Sequence, residues 1–369
     1  MKTLLALLLM SQNPADLYKA AVADMENARW AEAAATFEKI LRDDPGHIPT
    51  EFNLAVCYTK LEKLDEAKQV YRKILEQDAS MYEAVFNLGL LQLQSGEDKD
   101  AEQQFKTAAT IRPDDPDPVL YQARIFEKAG DKTNAAQAYE RAAQLKPNNP
   151  DIRIAAITFY LNSQQIDRAY VQFQALQPPV PTDSDLRRRL GAAFRAAKNF
   201  DKALEILAPL GSGDNLELAL VYFDLKQYEK AGAVFTLLAE KDPNNPDYLY
   251  MLGKCQFETK QYTKAVPTLQ RALKLNPEDI EAYSTLGTSY YFLEDWANAI
   301  VTLERFAKAR PRTALVYFLI ATSYDKLGNV PQALVNYNKF LELDDGSNDA
   351  RSFQARQRAK TLERRRPGN

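Results

Sequence analysis

Between Ile280 and Thr313 the apolar positions fall into two runs with helical spacing. Leu286 and Gly287 belong to the first run, with Tyr290 a turn later. Trp296 sits in the connection, Ala299 and Leu303 belong to the second run, and Pro311 closes it. Residues three and four apart share one face of a helix, so the pattern predicts two amphipathic helices joined by a turn. One such pair cannot bury its own apolar face. It is stable only when copies stack on it.

The copies are visible as a ladder of alanines equivalent to Ala299. Ala33, Ala67, Ala101, Ala135, Ala169 and Ala203 stand 34 residues apart, and Ala231, Ala265, Ala299 and Ala333 continue at the same step. A methyl group is what two closely crossing helices tolerate, since overpacking costs about 1–3 kcal/mol. The facing position is also small in nine copies: Ala21, Ala55, Gly89, Ala123, Gly191, Ala219, Gly253, Gly287 and Ala321. Ile157 departs from it, so local distortion is expected in the fifth repeat.

This 34-residue period, carried by Leu286-Gly287, Tyr290, Trp296, Ala299 and Pro311, resembles the tetratricopeptide repeat. The resemblance implies an all-α fold, a right-handed α-α superhelical solenoid of about ten tetratricopeptide repeats plus a C-terminal capping helix. Residues 13–211 form an N-terminal block of about six repeats, the fifth divergent. Residues 212–347 form a C-terminal block of about four, and residues 348–369 a capping helix with a basic tail. Proline marks the ends of several second helices, at Pro113, Pro147, Pro277 and Pro311, because it lacks the amide a helix needs. The fifth repeat ends in Gln177-Pro178-Pro179-Val180-Pro181, which reads as extended. Ala203 and Ala231 are only 28 apart, and Leu210-Gly211-Ser212-Gly213-Asp214 falls between them, with Asp214 or Asn215 suited to cap the next helix. Two readings of this short step stay open, a kink or hinge and a shortened loop that stacking absorbs.

Composition narrows the function. The 369 residues carry 50 acidic and 47 basic side chains, a net charge of −3, which gives no general case for nucleic acid. Hydrophobic residues make up 46% and glycines number 13, so a disordered chain is excluded. Cys57 and Cys255 fall at the same slot of repeats six apart, too distant to pair, and read as small core residues. With a single histidine, His47, and no Cys-x-x-Cys, neither a metal nor a cofactor is expected. Acid–base or nucleophilic catalysis needs a positioned pair in a closed pocket, and none emerges, so the chain reads as no enzyme. Residues 1–12, MKTLLALLLMSQ, have the charged start and apolar run of a short signal peptide and predict an exported, periplasmic or secreted protein. The alternative is an apolar start of a cytoplasmic protein. The run is too short for a transmembrane helix, which needs about 20 apolar residues.

The resemblance also implies that first helices line a concave groove. At the fifth slot of each repeat stand Tyr18, Phe52, Phe86, Leu120, Arg188, Tyr250 and Phe318; at the ninth, Val22, Val56 and Leu90; at the twelfth, Leu93, Phe257 and Tyr291. Arg195 joins Arg187, Arg188 and Arg189 in a basic cluster suited to an acidic stretch of a partner. A clamp for a C-terminal carboxylate is absent, because the fifth slot of the first three repeats is aromatic although Asn53 and Asn87 occupy the sixth. The expected ligand is an apolar or amphipathic segment of another protein, anchored on Tyr18, Phe52 and Phe86. The chain is expected to be a monomer or weakly self-associating. Two alternatives stay open: a cytoplasmic organiser of complexes, acting through its convex face or the basic tail of Arg356, Arg358, Lys360, Arg364, Arg365 and Arg366, and a self-associating assembly factor.

Overall fold

A computed structural model of the chain describes residues 13–176, 184–213, 215–344 and 349–364. The expected signal peptide of residues 1–12 and the proline run of residues 177–181 lie outside them, as do Asp214, Asp345-Gly346 and the last two arginines of the tail. Among the described residues there are twenty-one α-helices, one short 3-10 turn and no strand: the fold is all-α. None of these helices is long and apolar enough to cross a membrane.

The chain divides into two compact units, Met1–Pro181 and Thr182–Asn369. The first holds five helix pairs: α1 (Pro14–Glu26) with α2 (Trp30–Asp43), α3 (Ile48–Lys60) with α4 (Leu64–Gln77), α5 (Tyr82–Gln94) with α6 (Asp98–Ile111), α7 (Pro116–Lys128) with α8 (Lys132–Leu145), and α9 (Pro150–Asn162) with α10 (Ile166–Gln174). The second holds five more: α11 (Ser184–Ala196) with α12 (Phe200–Leu207), α13 (Leu216–Asp224) with α14 (Tyr228–Lys241), α15 (Pro246–Glu258) with α16 (Tyr262–Leu275), α17 (Ile280–Phe292) with α18 (Trp296–Ala309), and α19 (Ala314–Lys326) with α20 (Val330–Leu343). The last helix is α21 (Asp349–Glu363). Within each unit a helix packs on its sequence neighbours.

Every pair is joined by the same turn. The amide three residues past the first helix donates to a carbonyl five residues back, from Arg29 to Asp24 at 2.8 Å through Asn329 to Tyr324 at 2.9 Å. This bond requires a left-handed residue between them. Gly96, Gly130 and Gly328 supply it in three repeats, but Ala28, Glu62, Gln164, Lys198, Lys226, Lys260 and Glu294 adopt it with φ between 58° and 61°. An L-residue in this region is strained by about 1–2 kcal/mol, and glycine gives back about 0.5–1 kcal/mol through its freer unfolded state. Lys226→Gly is therefore expected to stabilise the second unit by about 0.5–1 kcal/mol in denaturant titration. Gly96→Ala is expected to cost the first unit a similar amount, because nothing lies within 4 Å of the added methyl and only the backbone resists it.

The alanine ladder is fully buried at all ten positions, from Ala33 to Ala333. Opposite it, the small slot on the first helix is matched to the residue sixteen further on. Alanine goes with a ring: Ala21 with Phe37, Ala55 with Tyr71, Ala219 with Phe235 and Ala321 with Tyr337 each share one core. Glycine goes mostly with leucine. A Cβ placed on Gly191, Gly253 or Gly287 would lie 2.4, 2.7 or 2.7 Å from Leu207, Leu269 or Leu303. A leucine branches at Cγ close to its backbone, whereas a flat ring slides past a methyl. Gly89 opposite Phe105 is the intermediate case, its Cβ meeting the ring edge at 3.0 Å.

Ile157 shows the consequence of breaking this match. It is fully buried, and Phe173, sixteen residues on, is only half-buried, while Phe37, Phe105 and Phe235 are wholly enclosed. Isoleucine fills volume that the ring takes elsewhere. Helix α9 nevertheless keeps its 13 residues; the shortening is in α10, which has 9 against the 14 of α8.

The 28-residue step lies inside the second unit. Helix α12 stops after eight residues, a 3-10 turn follows at Ala208–Leu210, and Gly211 turns the chain with φ 73°. Asn215, 1% exposed, replaces the missing turns. Its Nδ2 donates to the carbonyls of Leu207 at 2.9 Å and Gly211 at 3.3 Å, while its Oδ1 accepts from the Leu218 amide at 3.1 Å. One side chain thus caps α13 and closes α12. At the far end α21 stands where an eleventh first helix would begin. It buries Ser352, Ala355, Ala359 and Leu362, whereas Arg351, Gln354, Gln357 and Thr361 are exposed. Gln354 stands where α17 and α19 bury Leu286 and Ile320, so the stack closes on a solvated face.

Candidate functional site

In the first unit the predicted anchors lie on consecutive first helices, half-buried. The Tyr18 ring meets Phe37 edge-on at 5.8 Å, Phe52 meets Tyr71 at 5.9 Å and Phe86 meets Phe105 at 5.6 Å. Each ring is thus fixed from below by the second helix of its own repeat, with its remaining surface left open. Val22, Val56, Leu90 and Leu93 are half-buried beside them. Phe86 also packs on Tyr82 and Tyr121, at 5.7 Å each, and the Arg112 guanidinium lies 3.9 Å from the centre of the Tyr82 ring.

Two polar contacts fix this row. Asn53 donates to the Tyr18 hydroxyl at 2.9 Å, joining repeats one and two, and Asn87 donates to the Tyr71 hydroxyl at 3.2 Å. Leu120 and Phe318 are placed differently, at 9% and 5% exposure. Phe318 is enclosed by Tyr337 at 6.1 Å and Phe340 at 5.3 Å and offers little surface.

The second unit holds the remaining sequence-predicted positions. Arg195 donates to Asp224 at 2.7 Å and stands 3.8 Å from Glu217, which commits its guanidinium to helix α13. Arg187 donates to the Ile206 carbonyl at 3.2 Å, and Arg188 is half-buried beside it. Tyr250, Phe257 and Tyr291 are half-buried.

Several contacts that bind repeat to repeat were not expected. Tyr58 donates to Glu38 at 2.8 Å, Tyr160 to Glu140 at 3.1 Å and Tyr324 to Glu304 at 2.7 Å, while Gln270 donates to the Tyr290 hydroxyl at 2.7 Å. All four spacings are 20 residues, so a search for tyrosine with glutamate or glutamine at that interval would have found them. Burial and the adjoining carboxylate push the Tyr58 and Tyr324 hydroxyls up to about 12. Lys68, almost wholly buried, reaches Glu97 at 2.6 Å and Asp65 at 2.9 Å, and those hydrogen bonds raise its pKa despite its burial.

His47 is held, its Nδ1 2.7 Å from the Thr50 hydroxyl and its ring edge-on to Tyr18. It lines a cavity of about 560 Å³ with Leu17, Tyr18 and Ile40. Cys57 and Cys255 are free thiols, both buried, which raises them to about 11 and about 12. Among the described residues no group of three or more histidine, cysteine, aspartate or glutamate side chains is arranged to hold a metal. What the arrangement offers chemically is apolar surface with fixed ring orientations.

Models of the tetratricopeptide repeat match residues 24–80, 61–125, 127–188 and 284–348. A model described as anaphase-promoting complex, cyclosome, subunit 3 matches residues 195–272 and 224–306. No curated protein matches the chain. Among solved structures it is similar to a tetratricopeptide repeat protein from Parabacteroides merdae, at 14% identity over 75% of this chain and 98% of that one, with a TM-score of 0.44. PilF of Pseudomonas aeruginosa is similar at 16% identity over 58% and 96%, with a TM-score of 0.43. MamA of Desulfovibrio magneticus is similar at 15% identity over 44% and 93%, with a TM-score of 0.41.

Proposed function

Because the chain belongs to the tetratricopeptide repeat family, we propose that it is a non-enzymatic scaffold that holds an apolar or amphipathic segment of a partner protein against its first helices. The observation that carries this reading is the row of half-buried, edge-fixed rings on α1, α3 and α5 with Val22, Val56 and Leu90 beside them. Rings already held by the fold lose little freedom when a ligand covers them, so their burial is returned as affinity.

Full burial of such a ring is worth roughly 1.5–3 kcal/mol, and covering one that is already half-buried adds about half of that before the costs of association. Phe52→Ala/Phe86→Ala is therefore expected to weaken binding of a cross-linked and identified partner by about ten- to a hundredfold. Phe235→Ala is the control, because Phe235 is fully enclosed in the core of the second unit: it lowers stability and leaves the affinity of the folded molecules unchanged. A double variant that still binds as tightly as the unaltered protein overturns the proposal.

A further inference from the structure

The second unit carries a ring-lined edge that the first unit lacks. Phe223, near the end of α13, lies 5.2 Å from Tyr228 at the start of α14, at 67°. The pairing recurs as Phe257 with Tyr262 at 5.6 Å and Tyr291 with Trp296 at 5.4 Å. Between repeats Tyr262 stacks on Phe292 at 4.8 Å and 11°, and Phe292 meets Tyr291 at 5.8 Å. The equivalent pairs in repeats one to four are Met25 and Trp30, Thr59 and Leu64, Leu93 and Asp98, and Glu127 and Lys132, none with two rings.

Phe292 is 51% exposed at the centre of this edge, an expensive place for an uncovered ring. The hydrogen-bonding groups around it are solvent-reaching donors that no other described residue engages. Among the described residues the hydroxyls of Tyr228, Tyr262 and Tyr291 and the indole N–H of Trp296 make no hydrogen bond, unlike those of Tyr58, Tyr290 and Tyr324. Two ammonium groups flank the rings, Lys254 at 5.4 Å from the centre of Phe223 and Lys326 at 5.8 Å from that of Trp296. The nearby acceptors are largely occupied: Asp224 by Arg195, Asp295 by Asn298 and Asp325 by Arg358, which leaves Glu258 and Glu294 exposed.

A surface of ring faces and outward donors selects among the ways a peptide can bind. An α-helix spends its carbonyls on its own amides and has none to give these donors. A polyproline II segment makes no internal hydrogen bonds, offers carbonyls with few amides, and lays flat pyrrolidine rings on aromatic ones. We infer that the aromatic edge running from Phe223 to Trp296 is a second docking surface, for a proline-rich extended segment of a partner protein. It lies wholly within the second unit, and none of its residues belongs to the first-helix row of the first.

The test uses the full chain with Trp30→Phe, which leaves Trp296 as its remaining tryptophan, and an oligoproline peptide as probe. The expected result is a saturable change in Trp296 fluorescence with a Kd below about 1 mM. Phe292→Ala weakens binding about tenfold, while Phe353→Ala, an exposed ring on α21, and Phe52→Ala/Phe86→Ala leave it unchanged. Absence of saturation, equal affinity for an amphipathic helical peptide of the same length, or unaltered binding by the Phe292→Ala variant each overturns the inference. Loss of first-helix binding with oligoproline binding intact would strike only the earlier proposal.

Discussion

Gly253→Ala lowers the stability of the second unit by about 1–3 kcal/mol, and adding Leu269→Phe recovers a large part of the loss. The added methyl would stand 2.7 Å from Leu269 Cγ and 2.8 Å from Cδ2. The clash is with the branch point of the side chain, which moves only if the helix or the rotamer moves with it. Phenylalanine has a planar Cγ whose ring can lay its flat face along the added methyl, and the neighbouring repeat already pairs Ala219 with a buried Phe235 in one core. Urea titration of the single and double variants measures both effects. If the single variant is neutral, or the double variant is less stable than it, size matching between the two helices does not govern how the repeats close.

Above about pH 10 the protein is expected to unfold cooperatively, and this is the largest effect of solution conditions. Burial raises Tyr71 and Tyr337 to about 12, as it does Tyr58 and Tyr324 together with their glutamates; Cys57 and Cys255 rise to about 11 and about 12. A tyrosine in the unfolded chain ionises near about 10. Below that value the tyrosines keep their protons in both states, while the two thiols, which ionise near about 8.5 in the unfolded chain, begin to weigh against the fold from there upward. As pH rises from about 10 toward about 12, the unfolded chain releases protons that the folded chain retains, so unfolding is progressively favoured. The helical signal in circular dichroism and the phenolate absorbance should therefore change together and steeply. Gradual phenolate formation near pH 10 with the helices intact contradicts this.

The fold was legible because the residues that set it recur at a fixed step. The alanine ladder and the small slot announce ten helix pairs without reference to any loop, and Ile157 marks the pair that deviates. The deviation expected in the fifth repeat falls in its second helix: α9 stays regular and α10 is short. The turns were readable at Gly96, Gly130 and Gly328 but silent at the seven positions where a non-glycine residue takes the left-handed conformation, since stacking enforces it there against local preference. Hydrogen bonds between repeats, such as Tyr58 with Glu38, depend on two side chains from different helices and leave no signal in either helix alone.

The site was legible to a lesser degree. Sequence spacing places Tyr18, Phe52 and Phe86 on one face, but it does not say which rings turn inward. Phe318 occupies the same slot and is enclosed by Tyr337 and Phe340. Arg195 reads in the sequence as part of a basic cluster suited to an acidic stretch of a partner, whereas its carboxylate Asp224 lies 29 residues away on another helix. The aromatic edge escaped notice as a unit because its rings come from both helices of three repeats and meet only through the turn.

The proposal that the first helices hold the partner is tested most directly by site-specific photo-cross-linking in cells. The cross-linker is placed at Val56 and Leu90 on first helices and at the exposed Gln69 and Gln103 on second helices. The account predicts a discrete adduct with one partner protein from Val56 and Leu90 and none from Gln69 and Gln103. Adducts from the second-helix positions alone, or from no position, would contradict it.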